Sequence, residues 1–307
     1  MGFGHRPVML REVLDILDPK NGDVILDGTF GAGGYASALL ARNENCRVLG
    51  IDRDETVLKF AEMLKDIYGD RFVFHNIRFS EIGGILAEET LDGLVLDLGV
   101  SSMQLEERER GFSFRKEAKL LMTMGKNKIS AHNVVNEFSQ EKLASIILNY
   151  GEELKSGAIA KKIFEYRKLK TIETTVELAN IVRSCFKWRG KIDNATKTFQ
   201  AIRIFVNDEL EELNAILKDS IDLLKKDGRL IVVSFNSLED RIVKKFFLEN
   251  GGTRNKKINK YSKNIDSDSS PASTFSIAVR KPLVPSEDEI KDNARARSAK
   301  LRWGVRC

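Results

Sequence analysis

Short apolar runs separated by helix-like segments occupy the first third of the chain. The runs of strand length cover 24–26, 47–51, 72–74 and 91–98. Runs with little polar alternation are typical of strands buried on both faces of a parallel sheet. Helical periodicity covers 35–42 and 55–66 in between. This alternation predicts an α/β fold with a doubly wound sheet.

The alternation stops near residue 106. From there to about 212 no convincing strand is found, and helical spacing recurs at 139–148, 156–169 and 175–186. The α/β pattern then resumes, with predicted elements in this order: helix 207–224, turn 226–228, strand 229–235, helix 240–248, a polar and mobile loop 251–271, and strand 274–279. We therefore predict an α/β domain formed by 1–105 and 213–307, interrupted by a mainly helical insertion at 106–212.

Composition excludes several classes of protein. The chain has 307 residues, of which 42% are hydrophobic and 31% charged, so a disordered chain is not expected. No apolar run reaches the roughly 18–20 residues that cross a bilayer, and residues 1–10 lack a secretory apolar core. The three cysteines are far apart and the three histidines lack ligand spacing. We expect a cytoplasmic protein without disulfides, membrane spans or a metal site.

Positive charge is concentrated in three blocks. The net charge is only +5, but residues 155–170, 183–203 and 291–306 each contain six basic residues and one acidic residue. Such blocks suggest a polyanionic partner, although ordinary solvated helix faces are the alternative for any one of them.

The strongest local motif is Val-Ile-Leu-Asp-Gly-Thr-Phe-Gly-Ala-Gly-Gly-Tyr-Ala at 24–36, where a strand leads through glycines into a helix. Asp52 ends the next strand, where a carboxylate can accept both hydroxyls of an adenosine ribose. The spacing formally fits a dinucleotide such as NAD. However, Asp27 beside the loop and Asp97 at the end of the fourth strand would repel a pyrophosphate and suit a cation. The motif therefore favours S-adenosylmethionine, and NAD, as the cofactor of an NAD-dependent oxidoreductase, remains the alternative.

At this point the chain resembles one family, the bacterial small-subunit ribosomal RNA cytosine-N4 methyltransferases of the RsmH or MraW type. The matching segments extend nearly from end to end, and their ordered set is far more specific than the glycine loop alone. They lie at 5–10, 12–13, 27–34, 52–54, 97–105, 110–114, 150–153, 198–204, 237–244 and 293–298.

The resemblance implies a class I, Rossmann-like methyltransferase domain with a helical substrate domain inserted in it. It implies S-adenosylmethionine as the methyl donor and a cytidine in the decoding region of 16S rRNA, within the small ribosomal subunit, as the acceptor. The cofactor contacts it implies are Gly33, Gly34, Tyr35, Asp52, Phe79, Asp97 and Gln104. Whether the protein is a monomer or a homodimer stays open.

The chain departs from the family pattern at three places. Tyr35 stands where the family usually has histidine, and Asn236 stands where it has the histidine of Ser-Phe-His-Ser. Leu121 and Thr123 replace the aspartate and arginine of the family's Gly-Pro-Leu-Asp-Met-Arg-Met. These last changes remove two charges. Together with Asn236, they keep a second hypothesis open, namely a non-catalytic, rRNA-binding assembly factor of methyltransferase descent.

Candidate residues for catalysis and for RNA contact follow from this chemistry. Asp97 and Asn236 end strand segments and could orient the exocyclic amine, the asparagine through its carbonyl oxygen. Turn or cap roles are the alternative for both. Because arginine grips phosphate in a forked geometry, the candidates for RNA contact are Arg110, Arg203, Arg241, Arg295, Arg297 and Arg302. For each arginine an intramolecular salt bridge is the alternative.

Overall fold

The computed structural model describes residues 7–88, 90–188, 192–251, 273–277 and 281–307. The chain divides into two compact units, one formed by Met1–Gly99 with Glu212–Cys307 and the other by Val100–Glu211. Each unit has a hydrophobic core of its own. Among the described residues, no helix is long and apolar enough to cross a membrane.

The first unit contains a seven-stranded sheet with the order β3-β2-β1-β4-β5-β7-β6. Its strands are β1 (Val24–Asp27), β2 (Arg47–Ile51), β3 (Phe72–His75), β4 (Leu91–Asp97), β5 (Leu224–Ser234), β6 (Phe275–Ser276) and β7 (Lys300–Arg306). Neighbours among β1 to β5 are parallel, whereas β7 is antiparallel to β5 and β6. The predicted fold class is confirmed: this is a Rossmann-like, doubly wound sheet.

Helices precede, separate and follow most of the described strands along the chain. They are α1 (Leu10–Leu17), α2 (Gly34–Arg42), α3 (Leu58–Tyr68), α4 (Ser102–Glu106), α5 (Ala131–Glu137), α6 (Gln140–Gly151), α7 (Ser156–Arg167), α8 (Thr175–Arg183), α9 (Thr196–Val206), α10 (Glu209–Leu223), α11 (Ser237–Asn250) and α12 (Glu287–Asp292). Helix α1 was not predicted from the sequence. It is short, and it buries only Val13 and Leu17.

The strand order places the functional edge of the sheet. The chain runs outward from β1 through β2 to β3 and then returns to the other side of β1 with β4. In open α/β sheets, ligands bind at the carboxyl ends of the strands beside such a reversal. The central strands are apolar because both faces are covered; Ile25, Leu26 and Leu94 are almost completely buried. The polar residues that end β1 and β4 therefore lie at the edge where a ligand is expected.

The second unit is helical in its described part, and its named elements are α4 to α9 with the 3₁₀ turn Arg108–Arg110 and the first residues of α10. Four of its described helices begin at hydroxyl N-caps: Ser101, Ser130, Ser139 and Thr174 each accept a hydrogen bond from a backbone N–H of the first turn. Such caps satisfy N–H groups that have no partner within the helix. The helices enclose an aliphatic core that includes Leu143, Ile159 and Ile202.

The structure differs from the predicted elements at the carboxyl end of the chain. Residues 300–306, which the sequence indicates only as part of the basic block 291–306, form β7, which lies between β5 and β6. The period-2 signal is present, because Leu301, Trp303 and Val305 alternate with polar residues or glycine. Of the predicted strand 274–279, only Phe275–Ser276 is a strand. Residues 278–279 and nearly all of the predicted loop 251–271 lie outside the described residues.

Backbone features explain two further differences. The predicted helix 207–224 begins later, because Asp208 has a φ of 51° and separates α9 from α10. Strand β5 extends back to Leu224, which pairs with Leu91, but the next pair is Gly93 with Arg229. The predicted turn at 226–228 is therefore a bulge within this strand, where Asp227 has a φ of 66°.

Candidate active site

The loop after β1 is shaped by glycines in a conformation that other residues rarely adopt. Gly31 and Gly33 have φ values of 52° and 76°, and α2 begins immediately afterwards at Gly34. A Cβ at Gly33 would lie 2.9 Å from the ring of Phe30, which packs beneath the loop against Phe72 and Phe74. The ring of Phe30 thus supports the loop at Gly33, and α2 begins directly after the loop.

The segment Pro7–Met9 is packed against the start of α2. An added Cβ at Gly34 would come within 2.4 Å of Cγ of Pro7, so only glycine allows this approach. The hydroxyl of Tyr35 donates a hydrogen bond to the carbonyl oxygen of Val8. The replacement of the family's histidine by Tyr35 therefore gives this chain a buried bond between α2 and the segment that precedes α1.

The buried side chain of Asp27 binds backbone N–H groups on both sides of the loop. Its side chain is completely buried, and it accepts hydrogen bonds from the backbone N–H groups of Thr29, at 3.3 Å, and Ala36, at 3.2 Å. Burial raises its pKa to about 7, and the nearby charge of Asp52 adds to this. With an oxygen used at each end of the loop, Asp27 serves as a brace that also contributes negative charge.

Asp52, directly after β2, has the geometry of a ribose acceptor. One carboxylate oxygen accepts from the N–H of Gly31 and the other from the N–H of Asp54, each at 2.9 Å. A carboxylate oxygen has a second lone pair, so both can still accept hydroxyls. Burial raises the pKa of Asp52 to about 6 although these backbone bonds oppose the shift. The two bonds fix the carboxylate in the orientation needed to accept a vicinal diol.

Asp97, at the end of β4, is the least satisfied of the three carboxylates. Its backbone N–H donates to the hydroxyl of Thr29 at 2.6 Å, which links β4 to the loop. Its Oδ1 atom is buried and has no hydrogen-bond partner in the described part of the chain. Burial raises its pKa well above the usual value, and the charges of Asp27, Glu239 and Glu289 add to the effect. A buried acceptor without a donor indicates a place for a ligand donor or cation.

The other expected cofactor residues lie in different surroundings. Phe79 begins the 3₁₀ helix Phe79–Gly84 after β3 and packs against the core of the first unit. Gln104 belongs to the second unit, where its side chain accepts from the N–H of Ser101 at 3.0 Å and completes a capping box on α4. Their contact with a cofactor stays a prediction.

Asn236 caps α11. Its side-chain oxygen accepts from the N–H groups of Leu238 and Glu239, both at 3.0 Å, and its amide donates to the carboxylate of Glu239. The expectation that this carbonyl oxygen orients an amine does not fit the geometry, because two backbone donors already occupy it. One amide hydrogen is what Asn236 can present to a substrate.

At least five of the six arginines predicted to contact RNA interact with their own chain. Arg110 donates to the carbonyl oxygen of Thr123 at 2.7 Å. Arg203 forms a two-bond pair with Glu209 at 2.8 and 2.9 Å, and Arg302 binds Asp240 at 2.7 Å. Arg241, Arg295 and Arg297 are exposed, and Arg241 and Arg295 also interact with other residues of the chain. Contact of any of the six with RNA stays a prediction.

Two carboxylates of this region were missed from the sequence. Glu239 is almost completely buried and accepts from the N–H of Phe235 at 2.8 Å, and Glu289 accepts from the N–H of Met9 at 2.6 Å. Glu239 had a recognisable signal, because glutamate three residues after an N-cap asparagine forms a capping box. Glu289 had none, since its partner is 280 positions away in the chain.

The residues present fit S-adenosylmethionine. Asp52 suits the diol of its ribose, and the unpartnered oxygen of Asp97 lies among carboxylates that favour a cation and disfavour a pyrophosphate. Within the described residues, no group of three or more potential ligands is placed to hold a metal ion.

Comparisons with known proteins agree with this fit. The chain matches the MraW methylase family over residues 2–306. Proteins named ribosomal RNA small subunit methyltransferase H from Rickettsia massiliae (strain Mtu5) and Rickettsia bellii (strain RML369-C) are each 51% identical to it over 299 residues. These matches cover 97% of this chain, and 96% and 97% of the respective relatives.

Among solved structures, an rRNA methylase from Streptococcus thermophilus matches with a TM-score of 0.42 and 10% identity, covering 99% of this chain and 98% of that chain. TrmN from Thermus thermophilus matches with the same TM-score and identity, covering 97% of this chain and 48% of that chain. The family match over nearly the whole length and the 51% identity are decisive. The chain belongs to the MraW methylase family and is an S-adenosylmethionine-dependent methyltransferase.

Proposed function

We propose that this methyltransferase modifies the exocyclic N4 of a cytidine in the decoding region of 16S rRNA, in the cytoplasm. The observation that carries the cofactor half of the proposal is the set of carboxylates, Asp27, Asp52 and Asp97, at the carboxyl ends of adjacent strands around a glycine loop. The RNA half is supported by 51% identity to proteins named ribosomal RNA small subunit methyltransferase H.

The protein's main task in this reaction is alignment. The bound cofactor supplies a methyl group already activated by a positively charged sulfur, so no covalent bond to the protein is needed. We expect Asp52 to hold the ribose hydroxyls, Phe79 to flank the adenine and the loop residues Gly33 and Gly34 to bind the methionine end. The glycine loop would hold the cofactor in one orientation. The cytosine amine, held in line with the methyl group, would then be placed for transfer.

The acceptor amine needs help, because its lone pair is delocalised into the cytosine ring. Asp97 is the proposed proton acceptor: a carboxylate whose pKa is raised by burial is a stronger base than an exposed one. Asn236 is proposed to donate its remaining amide hydrogen to an acceptor on the cytosine ring. Both assignments concern orientation and proton transfer at named atoms, and neither requires a metal ion.

The RNA is proposed to be held by basic residues in both units. We propose residues 106–212 as the substrate-recognition insertion, with basic blocks at 155–170 and 183–203 that can neutralise phosphates. A cytidine inside folded RNA must be turned out of its stack to reach the methyl group. Trp188, whose side chain is 86% exposed, is available to stack on a neighbouring base.

The exposed arginines of the first unit give a prediction about salt dependence. Arg295 and Arg297 lie in the 3₁₀ helix Ala294–Ser298. Replacing both by alanine should weaken binding to the small-subunit substrate and reduce the log–log salt slope by about one to two units, because fewer counterions are released. The affinity of the double variant for the small-subunit substrate, measured from 50 to 200 mM salt, tests this. Its affinity for S-adenosylmethionine, measured by calorimetry, should stay unchanged.

The matched control is Lys59→Ala with Lys65→Ala on α3, which removes two positive charges from the same unit. Its slope should stay that of the wild type. A double variant of Arg295 and Arg297 with a lower melting temperature and an unaltered slope would show that these arginines brace the fold instead.

The function itself is tested by methyl transfer. Purified small subunits that lack the modification are incubated with the protein and S-adenosylmethionine carrying a labelled methyl group, and the RNA is digested to nucleosides. Label in N4-methylcytidine supports the proposal. Binding of subunits without transfer would favour the assembly-factor hypothesis, to which the loss of charge at Leu121 and Thr123 gives some support. Label on another nucleoside would reject the assigned target.

A further inference from the structure

Glu289 reaches the cofactor loop region from a distant part of the chain. It lies in α12, and its carboxylate accepts a hydrogen bond from the backbone N–H of Met9 at 2.6 Å. Met9 has a φ of 53°, a left-handed conformation that is uncommon for a residue with a side chain. The bond to Glu289 thus stabilises an unfavourable turn just before α1.

The same turn is held against the start of α2, which directly follows the glycine loop, by two further contacts. Pro7 lies against Gly34, and the hydroxyl of Tyr35 donates to the carbonyl oxygen of Val8. Of the three successive residues Pro7–Met9, the first two are therefore held by the start of α2 and the third by α12. We refer to Pro7–Met9 as the strap. Of these three contacts, the one made by Glu289 involves a charged side chain.

The charge of Glu289 also acts on the site. Glu289 adds to the effect of burial in raising the pKa of Asp97, and it acts in the same direction on the hydroxyl of Tyr35. Asp97 has a buried oxygen without a partner in the described part of the chain, and Glu289 is one of the three carboxylates whose negative charge acts on this group. S-adenosylmethionine has a positively charged sulfur, whereas its product S-adenosylhomocysteine has a neutral one. A fixed negative charge nearby stabilises the first more than the second.

We propose that Glu289 is a positioning residue that holds the strap against the start of α2, next to the glycine loop, and, through its charge, makes the site prefer the cationic methyl donor over the neutral product. This proposal rests on the assignment of S-adenosylmethionine as the cofactor. It extends that assignment to the step in which a new donor replaces the bound product, S-adenosylhomocysteine. The two effects are separable. Glutamine keeps an oxygen that can accept from Met9 but has no charge, whereas alanine has neither.

The test is calorimetric titration of the full chain with S-adenosylmethionine and, separately, with S-adenosylhomocysteine. Glu289→Gln should weaken donor binding by about three- to tenfold and change product binding by less than about twofold. Glu289→Ala should show the same loss of preference and a further, equal loss for both ligands. The control is Glu287→Gln, an exposed carboxylate two positions away that has the same charge change and should alter neither affinity.

Each result decides the matter. Equal weakening of both ligands in Glu289→Gln, or no change in either, overturns the charge preference. Wild-type affinity for both ligands in Glu289→Ala overturns the role in holding the strap. If Glu289→Ala does not fold, Glu289→Gln still tests the preference, because it retains the acceptor. Failure of the wild type to bind either ligand would instead reject the cofactor assignment, so the two failures are distinguishable.

Discussion

Replacing Asp97 by asparagine should reduce methyl transfer by at least about 100-fold, the range seen when an electrostatic group of an active site is removed. The same replacement should make the cofactor-free protein more stable. The two effects have opposite signs because the ionised Asp97 is buried beside other carboxylates and Oδ1 has no described partner. That arrangement suits a cation and is unfavourable without one. Asparagine has nearly the same shape and lacks the charge.

The gain in stability should grow with pH. A carboxyl group whose pKa is raised in the folded state binds a proton more tightly there than in the unfolded chain, so its contribution to stability falls as pH rises toward the folded pKa. Melting temperatures at pH 5, 7 and 9 would measure this, with about 2–4 °C expected for each kcal/mol of charge burial that is removed.

Asp92, in the same strand, provides the control. Its carboxylate accepts from the N–H of Val24 and from Lys225, both at 2.8 Å, so it is well partnered. Asp92→Asn should lower the melting temperature and leave the affinity for S-adenosylmethionine unchanged. A lower melting temperature in Asp97→Asn, together with normal transfer, would contradict the role assigned to Asp97.

The second large effect is expected at Asp52. Asp52→Ala should weaken S-adenosylmethionine binding by about 1.5–3 kcal/mol, the usual range for losing hydrogen bonds to a charged group. Calorimetry measures it directly. Because Asp52 also holds the N–H groups of Gly31 and Asp54, part of any loss could come from a displaced loop.

An analogue of S-adenosylmethionine without the ribose 2′-hydroxyl separates the two causes. If Asp52 accepts that hydroxyl, the analogue should bind the wild type weakly and bind Asp52→Ala little worse than the normal cofactor binds this variant. This is the coupling that a double-mutant cycle detects. Fully additive losses would show that Asp52 acts on the loop alone, and unchanged affinity in the variant would remove it from the site.

Much of the fold could be predicted because its signals are local. The strands that became β1, β2 and β4 are mostly apolar runs; Asp52 follows one such run directly and Asp97 ends another. In a parallel sheet this is enough to bring those carboxylates to one edge. The strand β7 was missed because its alternating pattern is interleaved with basic residues, whose charge suggested a binding tail.

The parts of the site that depend on distant contacts could not be predicted. Nothing near Glu289 in the sequence indicates Met9, and nothing near Pro7 indicates that it lies against Gly34. Asn236 is a different case, because its place in the sequence allowed two roles for its side-chain oxygen, a helix cap or a contact with the substrate amine. The positions of the N–H groups of Leu238 and Glu239 show that this oxygen caps the helix. Arg203 is similar, since its pairing with Glu209 depends on the turn between α9 and α10.

The interrupted sheet has a consequence for synthesis of the chain. Strand β4 pairs with β5, yet the whole second unit lies between them in sequence. A ribosome adding roughly 5–20 residues per second needs on the order of ten seconds to make that stretch. During this interval the growing polypeptide exposes one edge of an apolar strand, the kind of edge that recruits other strands. Holding by a chaperone, or early collapse of the helical unit, would protect the nascent chain from aggregation until β5 emerges.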